Sequence, residues 1–327
     1  MPALGHTHPT PYADVQVVGI PRALLYHRYG TLWTALFERL GRTTVLSRPT
    51  DREVVARGEA LAVDECCLAS KVYLGHVADL LGRCDAVFVP SMANLGLVKQ
   101  FCTKFHALPD IVANTFGDQV HVVSCRVGVF EEKRPFEQAF ADLAQSFGAT
   151  PRQAKRAVRE AFKAQERHDH ELAQAAEARL CARRDDPQDV RILLAAHPYI
   201  SHDRAMGAPV AELLAHLGAE VVLADECDHG RGYAASLGFS QTMPWVVNRE
   251  LVGTILRHRE HVDGIVLVSA FPCGPDSMTD DAVMRCIKGT PILNLTIDAQ
   301  SGTAGLETRV ESFVDILRYQ KQGGYVR

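Results

Sequence analysis

The chain has 327 residues, 47% of them hydrophobic and 23% charged, with a net charge of −4. That length is long for one core and predicts two domains of about 150 residues each. The weak acidic balance gives no support for a nucleic-acid partner, and the absence of any long apolar run argues against a membrane span.

Residues 1–14 carry His6 and His8 but no apolar stretch of a signal peptide, and they read as a flexible leader. The expected location is therefore cytoplasmic, where thiols stay reduced, and nine cysteines there point to metal or cluster chemistry before disulfides. Strands are predicted at Val15–Ile20 and Thr43–Ser47. Between them a helix over Thr31–Leu40 places Leu32, Leu36 and Leu40 on one stripe and closes at Gly41. A helix over Val72–Leu81 stops at Gly82, and strands come next at Ala86–Pro90 and Val120–Ser124. Short apolar strands separated by helices predict a buried parallel sheet.

Residues 151–184 differ in kind. Arg, Lys, Glu and Ala dominate, and Ala154, Val158, Phe162, Leu172, Ala176 and Leu180 form one apolar stripe. This predicts a long, solvent-facing helix starting near Pro151, and residues 151–187 are taken as a helical connector between domains at 15–150 and 188–327. Strands resume at Ile192–Ala196, Glu220–Ala224, Gly264–Ala270 and Ile292–Ile297, with helices at about 207–217, 244–261, 280–288 and 304–320. The fold class is α/β.

Open parallel sheets bind ligands beyond the carboxyl ends of their strands. His197, Tyr199, Asp225, Glu226, Cys227, Cys273 and Asp298 all come after predicted strands at that edge. Cys125 ends a strand of the first half, and Cys102 lies in a loop after another. Two lobes facing each other across a cleft would bring these loops together. Neither a G-x-G-x-x-G turn nor a G-x-x-x-x-G-K-[ST] phosphate loop nor a G-x-S-x-G elbow is present. His258 and His261 lack the H-E-x-x-H arrangement and are expected at the surface. Paired C-x-x-C spacing, the strong zinc signature, is also missing.

Structural cysteines usually sit inside apolar runs. Cys67, Cys102 and Cys273 instead sit in polar or Gly/Pro loops, and Cys273-Gly274-Pro275 reads as a compact turn. Lys71 and Lys104 lie close by and would offset thiolate charge. A thiolate set drawn from distant loops suits an iron–sulfur cluster or a zinc ion.

The motifs Gly-Ile-Pro-Arg-Ala-Leu-Leu-Tyr (19–26), Val-Asp-Glu-Cys-Cys-Leu-Ala-Ser-Lys-Val-Tyr-Leu-Gly-His-Val (63–77), Cys-Thr-Lys-Phe-His-Ala-Leu-Pro-Asp-Ile-Val (102–112), Phe-Pro-Cys-Gly-Pro-Asp-Ser-Met (271–278) and Gly-Leu-Glu-Thr-Arg-Val-Glu-Ser-Phe-Val-Asp (305–315) carry a resemblance. Over nearly the whole chain from about residue 15, the sequence resembles the acyl-CoA dehydratase activase-related proteins, relatives of the 2-hydroxyacyl-CoA dehydratase and benzoyl-CoA reductase subunits. The resemblance implies two Rossmann-like, flavodoxin-like lobes with an oxygen-sensitive [4Fe–4S] cluster, or a larger one, between them. It assigns the ligands to Cys67, Cys102 and Cys273 and leaves one iron open.

Several positions depart from the family pattern. Ala69 and Thr103 stand where prolines are common, Cys66 is an extra thiol beside Cys67, and Asp298-Ala299-Gln300 replaces an acid and a histidine. Cys66, Cys125 and Cys227 are the further candidate thiols, whereas Cys84, Cys181 and Cys286 read as packing or surface residues. The expected partners are an ATP-dependent activator or another low-potential electron donor, with homo- or hetero-dimers in keeping with the family.

Three functions stay open at this point. One is an iron–sulfur redox protein, in which His197, Tyr199, Asp225, Glu226 and Asp276 would be the catalytic candidates. Another is a non-catalytic cluster carrier, assembly factor or accessory protein. The third is a two-lobed small-molecule binder with incidental cysteines.

Overall fold

The computed structural model describes residues 10–130, 132–184, 186, 188–300 and 303–324. His6 and His8 and the start of the expected leader lie outside the described residues. The first half runs β1 (Val17–Ile20), α1 (Tyr26–Arg39), β2 (Thr43–Leu46), α2 (Arg52–Leu61), α3 (Leu68–Leu80), β3 (Ala86–Phe88), β4 (Ser91–Asn94), α4 (Thr103–His106), α5 (Leu108–Phe116), β5 (Val122–Val123), β6 (Arg126–Gly128) and α6 (Phe136–Ser146). The long helix α7 (Pro151–Cys181) is next. After it come β7 (Val190–Ala196), α8 (Pro198–Ser201), α9 (Ala208–His216), β8 (Ala219–Leu223), α10 (His229–Ser236), α11 (Val246–His258), β9 (Gly264–Ala270), α12 (Gly274–Cys286), β10 (Ile292–Ile297) and α13 (Thr303–Lys321). Among the described residues, no helix is long and apolar enough to cross a membrane.

The chain divides into two compact units. The first comprises residues up to Arg22, Tyr29–Arg48 and His76–Arg167; the second comprises Ala23–Arg28, Pro49–Gly75 and His168–Arg327. Each holds a four-stranded parallel sheet, ordered β2-β1-β3-β5 in the first unit and β10-β9-β7-β8 in the second. Both sheets therefore put their first and third strands side by side, with the second strand on one flank and the fourth on the other.

In the first unit Trp33 and Phe37 of α1 meet Phe88 edge to face, with ring centroids 5.2 and 5.1 Å apart. Phe136 and Phe140 of α6 enclose Phe162 of α7 in the same way. Tyr12 packs on Phe147 at 5.4 Å, so the chain just before β1 is anchored. A small parallel pair, β4–β6, accompanies the main sheet.

In the second unit every residue of β7 and β9 is buried, as expected of parallel strands covered on both faces. Two separate pieces of chain join this unit through specific contacts. Arg28 makes a bidentate, nearly buried ion pair with Glu250 of α11, at 2.6 and 2.8 Å. Residues Pro49–Gly75 bring in α2 and the start of α3, which cross at two glycines. A Cβ on Gly58 would stand 2.0 Å from the Lys71 carbonyl oxygen, and one on Gly75 would stand 2.0 Å from that of Val54. Only glycine permits backbones to approach so closely.

The strands of the two four-stranded sheets fall where apolar runs place them, and the long helix begins at Pro151 as expected, whereas the short pair β4–β6 had no apolar run to announce it. The differences are local. Helix α2 starts at an Asp51 cap whose carboxyl accepts the Val54 N–H at 2.9 Å, a signal hidden by the polar sequence around it. Helix α12 begins at Gly274 rather than near 280, because Pro275 suits a first helical turn as well as a tight turn. His258 is buried rather than at the surface; burial, then the neighbouring Arg257 charge, lowers its pKa.

Gly58→Ala is expected to lower stability by about 2–3 kcal/mol through overpacking, despite a helix-propensity gain of about 1 kcal/mol. Chemical denaturation measures it, and an unchanged midpoint would mean that α2 and α3 do not cross so tightly.

Candidate functional site

In the second unit the carboxyl ends of β7 and β9 are adjacent, while the chain leaves β7 toward β8 and leaves β9 toward β10. Such a divergence opens the crevice in which open α/β sheets bind ligands. His197 comes directly after β7, and Phe271-Pro272-Cys273 directly after β9.

Cys273 caps α12. Its N–H donates to the Ala270 carbonyl at 2.8 Å, and its own carbonyl accepts the Ser277 N–H at 3.0 Å and the Ser277 hydroxyl at 2.7 Å. Its thiol lies within the electrostatic influence of Asp276, three residues on in the first turn of α12. The Leu68 N–H donates to the Phe271 carbonyl at 2.9 Å and so draws the Cys67 turn against the β9 loop. Cys67 itself lies within 3.2 Å of the Ser70 hydroxyl at the start of α3. Burial, then the Asp276 carboxylate, pushes the Cys273 thiol far up, and Cys67 is near enough to add to the effect; the Asp276 N–H opposes it.

Behind Cys273 stands a buried polar network, in which Asp276 Oδ2 makes no hydrogen bond among the described residues. His197 Nδ1 lies 3.3 Å from Asp276 Oδ2 and 2.9 Å from the Tyr199 hydroxyl, and its Nε2 lies 3.2 Å from Asn248 Oδ1. The Asn248 amide donates to Asp276 Oδ1 at 2.9 Å. Burial pulls the His197 pKa down, but Asp276 and Asn248 outweigh it and hold the imidazole above its ordinary range. Conversely, burial works to raise the Asp276 pKa, and His197 and Asn248 bring it below the usual carboxylate range. Each side chain of the buried pair thus favours the charged form of the other. A small cavity of about 20 Å³ beneath it is walled by His197, Asn248, Asp276 and Asp280.

Asp225 and Glu226 form a different group, after the edge strand β8. Asp225 is buried and accepts from His202 Nε2 at 2.9 Å, while its backbone carbonyl faces His229 Nε2 at 2.8 Å. His27 stacks on His202 with centroids 6.2 Å apart. Burial, then Asp225, raises the Glu226 pKa; the same two influences push the Cys227 thiol up to about 12. Of the sequence candidates, then, Cys67, Cys273, His197, Tyr199 and Asp276 come together, and Asp225, Glu226 and Cys227 gather apart from them. Asn248, which ties the network, had no local signal in the sequence; it lies in the first turn of α11, next to the apolar Val246 and Val247.

Cys66 adjoins Cys67, and its N–H closes a turn onto the Val63 carbonyl at 3.0 Å. Cys102 lies in the first unit, half-buried, as the cap of α4. Cys125 is buried in the same unit, and burial raises its thiol pKa. Cys84 packs against Gly19, while Cys181 and Cys286 are exposed. Among the described residues, no three His, Cys, Asp or Glu side chains converge in a way that would hold a single metal ion.

Residues 17–226 match the family described as the CoA enzyme activase uncharacterised domain. The chain belongs to that family. The match to the CoA enzyme activase domain includes Cys67, Cys102 and His197 and ends before Cys273 and Asp276. Among solved structures, the periplasmic zinc binding protein TroA from Treponema pallidum is similar at 10% identity and a TM-score of 0.25, over 94% of this chain and 99% of that one. A mutant Mn-bound periplasmic metal binding protein from Candidatus Liberibacter asiaticus is similar at 12% identity and a TM-score of 0.24, over 92% and 99%. At such scores these likenesses carry no inference. No curated protein matches the sequence.

Burial, then the charge of Asp276, pushes the Asp280 carboxyl up to about 7. An unfolded aspartate titrates near 3.9, so between these values the native state binds more protons and loses stability as pH rises. Asp280→Asn removes that penalty. It is expected to stabilise the protein by about 2 kcal/mol near pH 8 and to leave it unchanged near pH 4. Equal effects at the two pH values, read from thermal unfolding, would contradict a buried, neutral Asp280.

Proposed function

We propose that this CoA enzyme activase family member is an accessory protein serving an enzyme that acts on CoA esters. We further propose that it holds an iron–sulfur cluster of the [4Fe–4S] type through Cys67, Cys102 and Cys273. The observation that carries the reading is the pairing of Cys67 with Cys273 at the carboxyl edge of the second unit's sheet. Burial and the neighbouring Asp276 carboxylate make the Cys273 thiol resist ionisation. A cationic iron centre reverses that balance, because it binds thiolates and offsets their charge. Soft sulfur donors suit iron–sulfur chemistry. Cys102 is included for its loop position and its motif.

The residues around the pair have definable tasks. The Asp276 carboxylate is close enough to act on the Cys273 thiol, and it is a candidate base for the proton that Cys273 would lose on ligation. His197 and Asn248 hold that carboxylate in place and in its ionised form. The Asp276 N–H, at the start of α12, favours the thiolate once it forms. When bound, such a cluster supplies one-electron transfer at low potential. The chain has no phosphate-loop motif, so nucleotide-driven energy would come from a partner.

Protein purified or reconstituted without oxygen is expected to contain iron and acid-labile sulfide in near-equal amounts. Cys67→Ser, Cys102→Ser or Cys273→Ser should each lower bound iron about tenfold, since a hard hydroxyl replaces a soft thiolate. The same change at Cys84, Cys181 or Cys286 should leave it intact. Stoichiometric zinc without sulfide, or equal losses in both sets, would overturn the assignment.

A further inference from the structure

Next to the Cys67 turn, the second unit contains a cavity of about 1160 Å³ that reaches the carboxyl end of the edge strand β10. Its volume lies at the upper end of small-molecule sites, which run to roughly 1,000 Å³, so a bare ion would leave it mostly empty. Val55 of α2, Leu68 of α3, Val210 of α9 and Leu295 of β10 give it an apolar wall. The buried Asp203 accepts the Thr50 hydroxyl, which fixes the loop that leads into the α2 side of the wall.

Three arginines from three elements line the same cavity: Arg52 opens α2, Arg204 precedes α9, and Arg309 lies on α13. Arg309 commits one nitrogen to the Asn294 carbonyl, at 2.6 Å. Among the described residues, Arg52 and Arg204 have no ion-pair partner. A guanidinium is a planar fork that meets a carboxylate or phosphate through two parallel hydrogen bonds. Of the acids on the wall, Asp51 is committed to capping α2, and Glu59 and Asp298 remain. These carboxylates balance the arginines, so a general positive field cannot recruit a ligand. Binding has to come from guanidinium forks on a head group and from the apolar wall on a body.

We propose that this cavity binds an amphipathic anion, an aliphatic body carrying a phosphate or carboxylate head, with Arg52, Arg204 and Arg309 holding the head. The site is separate from the thiols, and the proposal stands whether or not they hold iron.

Calorimetric titration of the full chain with octyl phosphate, octanoate, octanol, octylammonium and inorganic phosphate tests it. Saturable binding is expected for octyl phosphate or octanoate, and the tighter of the two identifies the head group as phosphate or carboxylate. The double variant Arg52→Ala, Arg204→Ala should weaken that binding at least tenfold, because charge-assisted hydrogen bonds to the head are lost. Ala56→Trp, an exposed α2 position on the cavity wall, should block the body to a similar extent while circular dichroism stays unchanged. Octanol or octylammonium binding as tightly as the anions would overturn the proposal. So would inorganic phosphate matching octyl phosphate, an unchanged affinity in the double variant, or no saturable binding of either anion.

Discussion

Strands β7 and β9 each bury all seven of their residues, so neither can offer a side chain to a ligand along its length. Chemistry is confined to the loops beyond their last residues, and the sheet order sets those ends side by side. His197 and Cys273 are therefore neighbours although 76 residues separate them in sequence. The rest of the site depends on this constraint. Asp276 must lie close after Cys273 to sit in the first turn of α12, and Asn248 must come from α11 to reach both His197 and Asp276.

A buried histidine–aspartate pair is costly to desolvate and contributes little net stability compared with apolar packing. Its value here is positional. Asp276 accepts from Asn248, faces His197, and acts through its charge on the Cys273 thiol. Loss of one partner would leave an uncompensated buried charge, which typically costs about 3–5 kcal/mol. The electrostatic setting of the thiol thus depends on a network that cannot loosen one member at a time. The Arg28–Glu250 pair has the same positional role elsewhere on α11, tying a six-residue excursion of the chain, Ala23–Arg28, to the second unit.

Much of this was legible in the sequence, and the exceptions share a cause. Apolar runs at 192–196 and 264–270 announce buried parallel strands, and the rule that ligands sit beyond strand ends singles out His197, Asp225 and Cys273. The rule does not give lateral strand order. It could not say that β7 adjoins β9 while β8 takes the edge, which is what gathers Asp276 with His197 and sends Asp225 elsewhere. Nor does local sequence reveal that Pro49–Gly75 belongs with the later half of the chain. That assignment rests on the close approach of α2 to α3 at Gly58 and Gly75 and on the bond from Leu68 to Phe271, all long-range facts. The early start of α12 is equally hidden, because Gly-Pro serves turns and helix starts alike.

The chemistry of the thiol pair is set by its surroundings rather than by its residue types. The thiolate, not the thiol, is the nucleophile and the metal ligand. In a site that burial and Asp276 make hostile to negative charge, Cys273 is a poor target for oxidants and electrophiles in its free form. A cation that enters the crevice changes the sign of the local field, and Asp276 then ceases to oppose the thiolate and becomes part of the negative shell around that cation. Under the proposed cluster binding, the same groups would leave the free thiol unreactive and favour it as a ligand once a cation is present. The exposed Cys181 and Cys286 lack any such desolvated setting.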